Sequence, residues 1–325
     1  MHRVVRPSVA ARAKSSPEDI LVGGQAVIEG VMMRTPYAYA VAVRRKDGSM
    51  EVKKEAVRRL ADAWRPLSWP VVRGFAVMCQ ALYLGIRTLN FSFNIASLDA
   101  EDAPKRDAGK GSGVWPVLLS MSMAAAVAVF LFILAPLWIT TWLKAYFAAV
   151  HNWVVFNLVD GLIRVIFFVA YILLISRMKD IRRVFQYHGA EHKVVHTWEA
   201  REELTVENAR RKTRLHPRCG TSFLLFVMVV SIIVFSLVKL AAFWAIFLSR
   251  VVLIPLISGL SYELIRMSAS RCRSGFFRLL VMPGLALQRI TTKDPSDDQL
   301  EVAIHALNEA LAIDSVAARE AQAAA

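Results

Sequence analysis

The sequence predicts a predominantly α-helical, multi-pass membrane protein of about four transmembrane helices, with a small β-containing cytosolic domain near its N-terminal end. Three observations predict it. Of the 325 residues 56% are hydrophobic, yet the formal charge is +14, a pairing of greasy and basic that soluble domains rarely show. Apolar runs long enough to cross a hydrocarbon layer of roughly 30 Å alternate with clusters of Lys and Arg, whereas a nucleic-acid binder would spread such residues over one soluble face. Those clusters also fall on alternate loops, as the positive-inside rule asks of cytoplasmic loops.

Residues 1–19 are basic and lack an apolar core, so a disordered tail is expected there rather than a signal peptide. From 20 to 70 the composition turns to β-branched and small residues, and Lys46-Asp47-Gly48 supplies a turn between two alternating segments, which predicts a hairpin in a small cytosolic domain. Its opening, LVGGQAVIEGVMMR, holds Gly23, Gly24 and Gly30 without the Lys and Ser/Thr of a P-loop, so close backbone approach or a tight turn is the expected use of those glycines. The segment 71–98 is apolar but broken by Arg73 and Arg87, a pattern that suits a helix lying in the membrane interface. A charged, glycine-containing linker, 99–113, follows.

The first transmembrane hairpin is expected within 114–176, with spans from Val114 to about Leu143 and from about Gly161 to Ser176, the latter preceded by an amphipathic stretch from His151. Asp160 and Arg164 stand four apart and are expected to pair. The second hairpin, 222–267, is divided at Lys239. Arg177, Lys179, Arg182, Arg183, Lys212, Arg214 and Arg218 place the intervening loop, 177–221, in the cytosol, and Arg266, Arg271, Arg273 and Arg278 do the same after the last span. Both termini are then cytosolic. In 268–325, Pro283-Gly284 reads as a turn, and Ser296 or Asp297 can cap a helix whose Leu300, Ile304, Leu307 and Leu311 share one face and should dock on the cytosolic domain. The three cysteines, Cys79, Cys219 and Cys272, are odd in number and far apart, as expected of thiols in a reducing compartment.

The chemistry concentrates in YHGAEHKVVH, Tyr187 to His196. On a helix His188, His192 and His196 are each rotated by about 40° from the last and so share a face, with Glu191 beside the first two. HGAEH spells H-x-x-E-H, the inverted zincin pattern, in which two histidines one turn apart bind a metal and the glutamate activates its water. HPRCG adds His216 and Cys219 on the same loop, enough donors for a catalytic or a structural site. Glu263 is the acid placed to supply the downstream ligand of that pattern, the alternative being an ion pair with Arg266. Histidines beside basic residues at a membrane surface can also simply face water or lipid phosphate.

GGQAVIEGVMMR, ISRMKDIRRVFQYHGAEHKVVH, HPRCGTSFL, SYELIRMSA and PGLALQRITTKDPSDDQLEVAI together resemble the bacterial YqhQ-like membrane protein family, a domain of unknown function described as predicted metal-dependent enzymes. The resemblance runs from about Gly23 to Leu311 and implies a multi-pass protein of the bacterial cytoplasmic membrane, without implying a particular reaction. The positions it carries over are Glu29, Arg34, His188, Glu191, His192, His216, Cys219 and Glu263.

Three functions are then in view. The leading expectation is a membrane-embedded zinc hydrolase at the cytoplasmic face, with His188 and His192 as metal ligands, His216, Cys219 or Glu263 completing the shell, and Glu191 as general base. The alternative is a non-catalytic scaffold with a structural metal or hydrogen-bonded motif, whose basic surface binds lipid, RNA or protein; anionic lipid head groups suit the charge. A transporter finds less support, because only Asp160, Arg164, Arg250 and Glu263 could line a path.

Overall fold

In the computed structural model, which describes residues 22–57, 65–99, 114–270 and 275–323, an N-terminal antiparallel sheet is built into a mostly helical chain. The expected basic tail, most of the linker and Cys272 lie outside the described residues. The strands are β1 (Gly23–Val27), β2 (Gly30–Arg34), β3 (Ala38–Arg44) and β4 (Met50–Ala56), in the order β1-β2-β3-β4. The Lys46-Asp47-Gly48 turn joins β3 to β4 as expected, and Gly48 takes the positive φ of 87° that the turn demands.

β2 and β3 read as unbroken apolar runs because both faces of the sheet are covered. One face, through Val31, Met33, Ala40 and Ala42, packs on α5 (Lys179–Glu199) and on α11 (Asp297–Ala323). The docking face of α11 is Leu300, Ala303, Ala306, Leu307 and Ala310, the i, i+3, i+7 spacing of a buried stripe. Its start is set at Ser296, whose N–H donates to Gln299 Oε1 while its carbonyl accepts from Gln299 and Leu300. The other face, Val27, Met32, Tyr39, Val41 and Val43, receives Leu84 and Ile95 of α1 (Val72–Leu98).

That contact refines the reading of 71–98. α1 is one helix of 27 residues whose later turns lie on the sheet and whose first turn packs elsewhere: Gly74 meets Gly259 and Tyr262 so closely that a Cβ would lie 2.7 Å from Tyr262 Cβ. Arg73 and Arg87 do not interrupt it, because each is spent on a carboxylate, Glu263 and Glu55 respectively.

The apolar helices follow. α2 (Val114–Val129) passes through a π turn, Phe130–Leu134, into α3 (Ala135–Lys144). α4 (Trp153–Ile175) starts eight residues earlier than the expected span, because Asn152 Oδ1 caps it by accepting from Val154 and Val155. After α5 and the short α6 (Val206–Arg210) come α7 (Gly220–Leu237), α8 (Phe243–Val252) and α9 (Ile254–Ser270). The division at Lys239 holds, but the second half breaks again at Leu253, just before Pro255, with a bend of 48°. α10 (Gly275–Thr291) runs straight through Pro283, so the expected turn at Pro283-Gly284 is replaced by helix. The residues after Thr291 strap the far end of α10 to α5, and the helix accepts the loss of one backbone donor.

Among the described residues two helices, Ser122–Lys144 and Trp153–Ile175, are long and apolar enough to cross a membrane, or three if the bent pair α8–α9 counts as one span. Phe223–Leu237 of α7 is equally apolar but shorter. Large apolar side chains on these helices face outward, among them Trp138, Leu158, Ile166, Ile233, Trp244 and Leu248. The expected Asp160–Arg164 pair forms, and Arg250 of α8 joins it.

Candidate metal centre

α5 buries Tyr187, Ala190 and Val194 against the sheet, which turns His188, His192 and His196 toward the 211–219 segment and the end of α10. The helix can lie this close because of Gly189: a Cβ there would stand 2.0 Å from the carbonyl oxygen of Lys293. The HPRCG segment is clamped by the buried Gln288, whose side-chain amide accepts from His216 N–H and donates to His216 C=O, both at 2.8 Å. Cys219 is the N-cap of α7, and its Sγ accepts from Thr221 N–H at 3.4 Å.

These supports bring four imidazoles into a row. Ring centroids are 4.5 Å apart for His188 and His192, 5.7 Å for His192 and His216, and 4.6 Å for His216 and His196. The row divides chemically into two groups.

The first is His188, His192 and Cys219, whose donor atoms all lie within 4.8 Å of one another. His188 Nδ1 stands 2.8 Å from the carbonyl oxygen of Thr291, and its Nε2 is 3.2 Å from Cys219 Sγ. His192 Nδ1 meets the carbonyl oxygen of Arg214 at 2.5 Å. A carbonyl only accepts, so each Nδ1 carries the proton and each Nε2 presents its lone pair. Burial favours the neutral form of His192, against the opposing pull of the Cys219 sulfur. Imidazoles fixed by carbonyls, with a thiol at the shared focus, are the donor set that zinc takes. The residues present fit a divalent metal.

The second group is His196, Glu199 and His216. Here the nitrogens are already engaged: His216 Nδ1 accepts from Arg218 N–H at 3.2 Å, so its Nε2 carries the proton and donates to Glu199 at 3.2 Å. Glu199 also pairs with the Arg218 guanidinium. Burial by itself would raise the Glu199 carboxyl, but the His216 bond and the charges of Arg218 and His196 outweigh it and hold the carboxyl below its usual range. This group is a closed hydrogen-bonded cluster.

The geometry divides the expected ligands between the two groups. Cys219 stands with His188 and His192, whereas His216 stands with His196 and Glu199, because its backbone clamp turns the ring to Glu199. Glu263 is absent from both groups: Arg73 grips its two carboxylate oxygens, one of them at 2.7 Å, and thereby ties α1 to α9. Arg266, the other expected partner, adds only a field. Glu29 and Arg34 likewise serve the frame, Glu29 bonding Arg183 and Arg34 bonding Gln80. Glu191 is buried beside the first group rather than in it. It faces the sheet edge at Gly24, where a Cβ would lie 3.1 Å from its Cγ, and accepts from Gly24 N–H. Burial raises its carboxyl above the usual range, opposed by the nearby His188 and by that bond. Glu199 escaped the sequence reading, although its position three residues after His196 on the same helix was a usable signal.

Fold and site thus define a class: a chain of apolar helices joined to a sheet-backed His/Cys cluster. The chain belongs to the family described as "Protein of unknown function (DUF1385)", which residues 69–313 match. It is 36% identical over 299 residues, 90% of this chain and 93% of the relative, to the "Uncharacterized protein YqhQ" of Bacillus subtilis (strain 168). No solved structure matches the chain.

Proposed function

We propose that the protein is a membrane-embedded metal-dependent enzyme, a zinc hydrolase working at the cytoplasmic membrane face. The observation that carries this reading is the convergence of His188, His192 and Cys219 with the Nδ1 of each ring tied to a backbone carbonyl. A bound zinc supplies Lewis acidity and lowers the pKa of a water it coordinates. His188, His192 and Cys219 would hold the ion as three protein donors, the number that catalytic zinc sites use. Glu191, buried beside this group, would accept a proton at a carboxylate oxygen, and burial, which strengthens its hold on a proton, suits that role.

The proposal includes four crossings of the bacterial cytoplasmic membrane, by 114–144, α4, α7 and the α8–α9 pair, with both termini and the sheet in the cytosol. Outward apolar side chains on these helices support it, and the lipid bilayer is their partner. Arg177, Lys179 and Arg182, exposed just beyond α4 and without an ion-pair partner among the described residues, are placed to meet anionic head groups.

Elemental analysis of protein purified in mild detergent tests the centre: about one zinc per chain is expected, lost in His188→Ala and His192→Ala. Chain-bound metal absent from protein kept reduced and free of chelator would sink the proposal. Glu191→Gln should keep the zinc and abolish turnover of an ester, amide or phosphoester identified by screening. One observation favours a second reading, a structural zinc in a membrane scaffold: His192 and Cys219 are only 2% and 6% exposed. On that reading zinc removal unfolds the 177–221 region, and no hydrolysis depends on Glu191.

A further inference from the structure

The apolar bundle holds a second polar centre, far from the histidines. Asp160 and Arg164 of α4 meet Arg250 of α8, and α7 contributes Ser231 and Phe235. Asp160 is the eighth residue of its helix, Arg250 the eighth of its own, and Ser231 lies six residues before the end of α7. At 1.5 Å per residue each stands roughly 10 Å in from the helix ends near Trp153, Phe243 and Leu237. Cys219 caps the opposite end of α7, so the two centres belong to opposite ends of the bundle.

The charges there do not balance. Arg164 and Arg250 both bond the same oxygen, Asp160 Oδ2, at 2.9 and 2.6 Å, so two guanidinium groups share one carboxylate. Arg250 has one further bond, to Asn157 Oδ1, and Arg164 one to Ser231 Oγ, both neutral. The Phe235 ring, 4.6 Å from the Arg250 guanidinium carbon and 5.5 Å from that of Arg164, offers a second partial counter-charge. No other acid acts on either arginine among the described residues. One full positive charge is left over among side chains that are 1% (Asp160 and Arg250) and 11% (Arg164) exposed. Arg164 Nε and Arg250 Nε, both buried, have no protein partner, and neither does the second oxygen of the carboxylate between them, Asp160 Oδ1, so two unpaired donors stand against one unpaired acceptor.

We propose that this cluster binds a small monovalent anion of the halide class, held by the two guanidinium groups. An anion supplies the missing negative charge and accepts from Nε–H donors that the protein leaves unpaired. A larger head group is excluded by the burial of Arg250. The helix break at Leu253 falls three residues after Arg250, so the bound ion also fixes the helix that bends there. The site is separate from the metal centre and stands whether or not that centre binds zinc.

The test is thermal unfolding of the full chain in a non-ionic detergent, with sodium chloride replacing sodium gluconate at constant ionic strength. The wild-type midpoint should climb by a few degrees as chloride rises, the signature of a ligand bound only by the folded state, and bromide should act like chloride. Arg164→Gln removes the surplus charge and leaves the Asp160–Arg250 pair, so it should lose the chloride response. A wild-type midpoint indifferent to both halides overturns the proposal, as does an Arg164→Gln response equal to wild type. Should that variant fail to fold, Asp160→Asn tests the proposal in the opposite direction: two unopposed arginines should enlarge the chloride response, and an unchanged one overturns the site.

Discussion

Gly189→Ala, within the H-G-A-E-H motif, sets two effects against each other. In an unobstructed helix interior the change stabilises by about 1 kcal/mol, since alanine is the better helix former. Here the new Cβ would stand 2.0 Å from the Lys293 carbonyl oxygen and 3.2 Å from its carbon, both backbone atoms. Ordinary contact needs a separation near 3.4 Å, so the strap after α10 must move by more than 1 Å. That movement strains Lys293 N–H to Phe185 C=O and His188 Nδ1–H to Thr291 C=O, both 2.8 Å. Two lost hydrogen bonds at about 1 kcal/mol each, plus about 1–3 kcal/mol of overpacking, outweigh the propensity gain and leave a net loss of about 2–4 kcal/mol. Because the second bond fixes the His188 tautomer, zinc affinity should also fall by about 10–100-fold. Unfolding followed by tryptophan fluorescence in detergent, with competitive zinc titration, measures both. Gly220→Ala, where a Cβ meets nothing within 4 Å, is the control and should be neutral or slightly stabilising. A Gly189→Ala protein as stable as wild type, with unaltered zinc affinity, would refute the claim that this glycine exists to seat the strap on the metal helix.

Glu263→Gln should leave the zinc content unchanged while lowering the thermal midpoint, because its carboxylate serves Arg73 and not the metal; loss of zinc in this variant would return Glu263 to the ligand set. Glu199 contributes stability through a carboxyl held below its ordinary value of 4.5. A depressed acid stabilises above its unfolded pKa and loses that contribution as pH falls through the folded one, so the wild-type midpoint should decline below pH 4.5. Glu199→Gln should flatten that acid limb, and an unaltered limb counts against the cluster. Cys219→Ser keeps the cap to Thr221 but replaces a soft donor by a hard one, so it should fold normally and bind zinc more weakly by competition with a chromogenic chelator.

Much of the architecture was legible because it rests on local periodicity. The β3–β4 turn, the buried face of α11 and the apolar helices all follow from spacing within one segment, although α4 starts eight residues earlier than expected and the last apolar run breaks at Leu253. The errors arose where a distant partner decides. Pro283 reads as a stop, yet long-range packing and the strap on α5 keep α10 helical across it. The segment 71–98 is the one helix expected there, and what its sequence could not show is that Arg73 and Arg87 pair with Glu263 and Glu55, each remote in sequence.

The candidate site divides along the same line. The three-histidine face was readable from four-residue spacing on α5, since a helix fixes it without reference to anything else. Which donors join it was not, because HPRCG contributes through its backbone as well as its side chains. Gln288 holds both polar groups of the His216 main chain, which turns that ring toward Glu199 and delivers Cys219, three residues on, to His188. One buried amide therefore sorts the two groups. It follows that Gln288→Leu, which leaves the buried His216 N–H unpaired at about 1–3 kcal/mol and its C=O with the Cys219 N–H alone, should weaken zinc binding by acting through the His216 main chain. Zinc affinity equal to wild type in a folded Gln288→Leu protein would mean that the loop finds its place without the clamp, and that the sorting of His216 from Cys219 lies in HPRCG itself.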